Sequence, residues 1–176
     1  MRDTALDLIP LPAAEPAIDA SLYLFALCNY LQTAYLSRRG VRYVLDADSV
    51  GKLPGPVCRM LGLMVCDLVH DASACARPQT ETVTVTLRRR GTTFLCTISR
   101  PCLAKCTCPQ TGLERVLGLG AELGHACIIR PIPERGLTAV MFDVHLVEPC
   151  IPAALSRYRA GEASRRAERL SPGVQV

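Results

Sequence analysis

The sequence predicts a two-layer α+β sandwich: a mixed, largely antiparallel sheet with about three helices on one face. Three observations lead there. Two pairs of alternating, β-branched segments read as hairpins, "ETVTVTLRRR" with "TTFLCTIS" across Gly91, and "ACIIRPI" with "GLTAVMFDVHLV" across Glu134-Arg135-Gly136. Three further stretches carry helical period. Helices and strands are interleaved, in the order helix, strand, helix, hairpin, helix, hairpin, tail.

Taken in order, residues 1–18 hold the proline-rich "IPLPAAEPA" and read as an extended leader. Asp19 or Ser21 then caps a helix running to about Arg38, which Gly40 stops. "VRYVLDA" alternates as a strand. Pro54 and Pro56 flank the start of a second helix that runs to about Ala76, before Pro78. The third helix, "GLERVLGLGAELGH", ends at Gly124. One domain over 19–150 and a basic tail over 151–176 follow from this pattern.

Bulk properties exclude several classes. At 176 residues the chain fits one domain with a well-buried core. Hydrophobic residues make up 49%, yet no apolar run approaches the roughly 20 residues of a membrane span. The best candidate, "SLYLFALCNYLQTAYL", is broken by Asn29, Gln32 and Thr33. No basic segment followed by an apolar one opens the chain, so a cytoplasmic protein without a membrane partner is expected. The net charge of +4 rests on arginine, Lys52 and Lys105 being the sole lysines. The tail "SRYRAGEASRRAERL" holds five arginines against two glutamates. With Tyr158 its single aromatic, it reads as a solvated tail or terminal helix, and nucleic acid is not an expected partner.

Of ten cysteines, Cys28, Cys58, Cys66, Cys75, Cys96 and Cys127 lie in apolar segments and read as small hydrophobes. "SRPCLAKCTCPQTG" gathers Cys102, Cys106 and Cys108, spaced C-x-x-x-C-x-C. Structural zinc takes four ligands, and no fourth is nearby, so zinc is not expected. Lys105 and Arg100 leave a reactive thiol open.

On the second helix, Val57, Leu61, Met64, Val65, Leu68, Ala72 and Cys75 form an apolar stripe, with Asp67 and Asp71 at its border. Two carboxylates at i and i+4 repel. Either they form an exposed acidic edge, or a cation, an arginine or a metal-bound phosphate lies between them.

"LGLMVCDLVHDASACA", Leu61 to Ala76, resembles the N-box helix of bacterial sensor histidine kinases, L-G-L-I-x-N-E-L-V-T-N-A-x-K-H-A. The likeness continues in order through "GVRYVLDADSVGKLPGPVCRM", "TVTVTLRRRGTTFLCTIS" and "TGLERVLGLGAELGHACIIRPIPERGLTAVMFDV", roughly residues 20 to 147. It implies the Bergerat fold that gyrase, heat-shock chaperone ATPases, histidine kinases and MutL share. It further implies ATP with Mg²⁺, a catalytic acid at Asp67, a Mg²⁺-holding side chain at Asp71, and nucleotide contacts at Asp71, Arg100, Gly112 and Thr138. Gly136 and Thr138 keep the pattern of the closing hairpin.

The family's D-x-G-x-G motif falls on Arg100-Pro101-Cys102. Guanidinium has donors only and cannot accept from an adenine amino group, and proline restricts the backbone. His70, His125 and His145 read as structural histidines, since none lies on an upstream dimerising helix. The expected function is a degenerate kinase-type ATPase domain acting as a binding or regulatory module in two-component-type signalling. The alternative is a stand-alone domain that still binds Mg·ATP through Asp67 and Asp71. The implied partner is a response regulator, phosphotransfer protein or kinase component, with room for a homodimer.

Overall fold

The computed structural model describes residues 17–76, 81–99 and 111–158. Elements run β1 (Ile18–Asp19), α1 (Ala20–Leu31), β2 (Arg42–Ala47), β3 (Lys52–Leu53), α2 (Gly55–Cys75), β4 (Thr82–Arg90), β5 (Thr93–Ser99), α3 (Thr111–Leu123), β6 (Cys127–Ile132), β7 (Leu137–Asp143) and α4 (Val144–Val147). A last helix, α5, covers 151–158. The main sheet has the order β2-β4-β5-β7-β6. β2 lies parallel to β4, and the other neighbours are antiparallel. It is the mixed, mostly antiparallel sheet with helices on one face that the sequence predicts.

Period-2 alternation produces the two layers. Val83, Val85 and Leu87, Phe94, Cys96 and Ile98, and Val140 and Phe142 point under the helices and are buried. Phe94 and Phe142, register partners across β5 and β7, stack with ring centroids 5.6 Å apart. The other face carries Thr84, Thr86, Thr97 and Ser99, where the Thr86 and Thr97 hydroxyls bond each other and Ser99 Oγ accepts from the Thr84 N–H. Helix α2 supplies Val57, Leu61, Met64, Val65, Leu68 and Ala72 of the stripe read from its sequence to the core, while Cys75, the last of that stripe, is only partly buried.

Local signals act largely where expected. Asp19 is the N-cap of α1, its carboxylate accepting from the N–H groups of Ser21 and Leu22 at 3.0 Å each. Gly40 (φ 66°), Gly91 (φ 61°) and Gly124 (φ 60°) take the left-handed backbone that ends two helical segments and turns the hairpin. Two features differ. The first helix changes character before Gly40: Gln32–Leu36 is a π-helical turn and Ser37–Arg39 a 3₁₀ turn. The extra residue per turn presents Gln32 to β2, where Nε2 donates to the Val41 carbonyl (3.1 Å) and Oε1 accepts from the Tyr43 N–H (3.1 Å). The closing strand also stops earlier than its apolar pattern implies. Asp143 caps a helical turn by accepting from the His145 N–H at 3.0 Å, so "VHLV" is helical and His145 is not on a strand. A two-residue pairing of β1 with β3, unforeseen in the sequence, ties the start of the domain to the entry of α2.

Among the described residues, Cys28, Cys58, Cys66, Cys75, Cys96, Cys127 and Cys150 are free thiols. Burial pushes the Cys28, Cys96 and Cys127 thiols up to about 12, and Cys58 likewise with a smaller contribution from Asp19. These thiols stay protonated at neutral pH and act as apolar packing. Cys102, Cys106 and Cys108 lie outside the described residues, as does the leader before residue 17. No described helix is long and apolar enough to cross a membrane.

Candidate functional site

The site forms at the seam between α2 and α3. Asp67 and Asp71 are 4% and 3% exposed, so they are not an acidic edge on the surface. Their place follows from helix geometry: positions four apart stack on one side, and this side faces α3 rather than solvent.

Close approach of the two helices depends on Gly112. A Cβ at that position would lie 2.3 Å from the Asp67 carbonyl oxygen and 2.9 Å from Asp71 Cγ. With no side chain there, the start of α3 settles directly on α2. Asp71 Oδ2 then accepts from the Leu113 N–H at 2.7 Å, and the carboxylate also accepts from the Gly112 N–H. A helix start leaves N–H groups unpaired and carries partial positive charge, so a carboxylate there acts as a cap supplied from another helix. Burial opposes the charge on Asp71, but the His70 imidazole and these two backbone donors outweigh it and hold its pKa below the ordinary aspartate value. His70 Nδ1 stands 3.9 Å from Asp71 Oδ1, long for a hydrogen bond, so we assign the larger share to the backbone donors.

Asp67 meets a different partner. Arg115, one turn into α3, grips it as a fork: Nε donates to Oδ2 at 3.1 Å and Nη2 donates to Oδ1. Tyr158 of α5 donates its hydroxyl to the same Oδ2. Asp67 is thus met by α3 on one side and by α5 on the other. Of the resolutions open in the sequence, a cation, an arginine or a metal-bound phosphate, an arginine is in place beside Asp67.

The remaining sequence-derived residues fall elsewhere. Thr138 is on β7, opposite Ile98 and Pro131, rather than on the seam. It is 1% exposed, and its hydroxyl finds no hydrogen-bond partner among the described residues. Gly136 takes φ 59° in the turn between β6 and β7, a role in the fold. Arg100 lies outside the described residues. His70 stacks on Tyr35, with ring centroids 5.0 Å apart, and Arg39 also lies over the Tyr35 ring, which accounts for His70 as a packing residue.

Sequence reasoning missed Arg115 and Tyr158. A signal existed for each. Arg115 stands three residues after Gly112 and four before Leu119, on the edge of the buried face of α3. Ile151, Ala154 and Tyr158 are spaced as one helical face, in a segment read as the start of a tail.

No family model and no curated protein sequence matches the chain. Solved structures do. The histidine kinase domain of the blue-light activated histidine kinase of Erythrobacter litoralis superposes with a TM-score of 0.60 at 16% identity, covering 79% of this chain and 73% of that one. The chain has the histidine-kinase ATPase fold. The catalytic domain of histidine kinase ThkA in a nucleotide-free form gives 0.57 at 10% identity, over 73% of this chain and 95% of that one. Acinetobacter baumannii histidine kinase AdeS gives 0.55 at 11% identity, over 80% and 74%. ThkA in complex with response regulator protein TrrA gives 0.53 at 10% identity, over 80% of this chain and 46% of that one. The sensor-kinase likeness drawn from the N-box helix therefore holds at the level of fold, although sequence identity is this low.

Proposed function

We propose that this histidine-kinase-type domain has given up ATP hydrolysis and phosphotransfer and works as a binding or regulatory module in two-component-type signalling. The observation that carries the reading is the engagement of both N-box carboxylates by protein donors. A Mg²⁺ ion bridging to a triphosphate needs carboxylate oxygens that face it with free lone pairs. Asp71, at the position implied for Mg²⁺, is engaged by the N–H groups of Leu113 and Gly112. Asp67, at the position implied for the catalytic acid, is spent on Arg115 and Tyr158. A helix start that would receive a phosphate anion holds a carboxylate of its own chain instead. As arranged, these residues do not fit a metal–nucleotide complex. The arginine and proline of Arg100-Pro101, where the family has an acceptor and glycines, point the same way.

Such a module acts through a protein partner, of response-regulator, phosphotransfer or kinase type. That ThkA, a similar fold, is seen with a response regulator supports this choice.

One observation favours the alternative, a stand-alone domain that binds Mg·ATP. The buried hydroxyl of Thr138, without a partner among the described residues, is the kind of group that a polar ligand would satisfy. A thermal shift with Mg·ATP decides between them. Ligand at 100 times its Kd stabilises by about 2.7 kcal/mol, a rise of several degrees in Tm for a domain of this size. The proposal expects no rise at millimolar Mg·ATP. A rise of several degrees that Asp71→Ala abolishes would establish the alternative.

A further inference from the structure

We infer that α5, residues 151–158, is a latch on the α2–α3 seam, and that the Tyr158 hydroxyl is its bolt. The inference rests on the reading of Asp67 and Asp71 as an internally engaged pair, because it concerns what keeps that pair closed. Ile151 and Ala154 are buried along one side of the helix at 0% and 2% exposure, and Tyr158 follows one turn later at 9%. The polar ties lie at the far end. Tyr158 donates to Asp67 across 91 residues of sequence, and Arg157 Nη1 pairs with Glu122 of α3.

Between these ties the contact is incomplete. A solvent-open groove of about 190 Å³ runs along α3 and α5, lined by Glu114, Gly118 and Leu119 of one and by Ala154 and Tyr158 of the other. Gly118 offers no side chain to fill it, and a Cβ there would meet nothing within 4 Å. The contrast with Gly112 is direct: there the same residue type lets helices touch, whereas here it leaves a gap. A contact that rests on a few buried side chains and two polar ties beside an open groove opens at lower free energy than a close-packed one. The apolar end at Ile151 anchors the helix while its tied end lifts.

Opening has a defined consequence for the site. Asp67 loses the Tyr158 donor while keeping Arg115, and the outer side of that ion pair becomes accessible. Gly112 lies against the backbone of that same Asp67 and Arg115 of α3 holds its carboxylate, so the start of α3 adjoins the group that opening frees. The latch therefore sets how often the carboxylate pair is available to a partner or ligand.

Hydrogen exchange of the full chain, without nucleotide, tests this independently of the Mg·ATP measurement, and either can fail alone. Tyr158→Phe keeps the ring and removes the bolt. The expected result is about tenfold faster exchange of the amides of 151–158 and of Leu113, the fold-change matching loss of one hydrogen bond to a charged acceptor. Amides of β4 and β5 should be unchanged. Equal acceleration throughout, or none at 151–158, would overturn the latch. Arg157→Ala, at an exposed side chain that the core does not need, repeats the measurement if the phenylalanine variant fails to fold. It should show the same local pattern at smaller amplitude, and a uniform or absent effect would overturn the latch there too.

Discussion

Two places among the described residues set an arginine against aspartate, and they differ in almost everything but charge. At the sheet edge, Arg88 of β4 reaches Asp46 at 2.6 Å and Asp48 at 3.3 Å, with all three side chains between 36% and 64% exposed. At the seam, Arg115 forks onto Asp67, whose side chain is 6% exposed, while its own is 28% exposed. The first cluster is solvated, so each ion exchanges water for a partner at little net gain. In the second, the carboxylate has left water behind, and removing its partner strands a charge. The lesson is that an ion pair matters here by where the fold puts it. Gly112, by letting α3 settle onto α2, is what puts it there.

The largest effect should come from breaking the buried pair. Asp67→Ala leaves Arg115 and the Tyr158 hydroxyl without their shared acceptor and should cost about 3 kcal/mol, read as a fall in the urea midpoint at constant m-value. Arg115→Ala combined with it in a double-mutant cycle should recover part of that loss, and strict additivity would mean that the two are not coupled. Gly112→Ala comes next. Its methyl must displace the Asp67 backbone or lift α3, at about 2 kcal/mol, with Leu113 amide exchange rising. Asp71→Asn, which weakens the cap on α3, should cost about 1 kcal/mol.

The same position predicts a pH dependence. The native pKa of Asp71 is depressed, so its contribution is complete above the unfolded aspartate value of about 3.9 and is lost as pH falls through the lower native value. Below about pH 4, stability of the wild-type chain should therefore fall more steeply than that of Asp71→Asn, which has no proton to take up. Equal slopes would show that another group governs the acid limb. Smallest of all is Arg88→Ala, which should move Tm by about a degree at most, less still at high salt. A fall as large as that of Asp67→Ala would erase the contrast between the two clusters.

How much of this was legible in the sequence depends on the range of the interaction. The helices, the hairpins and the apolar stripe of α2 follow from periods that neighbouring residues set among themselves, and the structure keeps them. The end of β7 did not follow, because "VHLV" continues an apolar pattern and the Asp143 cap breaks it. Asp67 and Asp71 were visible as a conflict between like charges one turn apart. The answer to the conflict was not, since Arg115 is 48 residues away and Tyr158 is 91. No local rule pairs residues at that distance. Only the packing of α3 and α5 brings them in, and the cue for it, a bare glycine at the head of a helix, looks the same as the glycine that leaves a gap at position 118.

Gln32 carries a further consequence. Strand β2 ends the sheet, and an end strand offers its backbone to any passing chain. The amide of Gln32 already satisfies one carbonyl and one N–H on that outer side, a sixth strand reduced to a single side chain. The π-helical turn that delivers it thereby covers the start of that edge, at Val41 and Tyr43, against pairing with another strand.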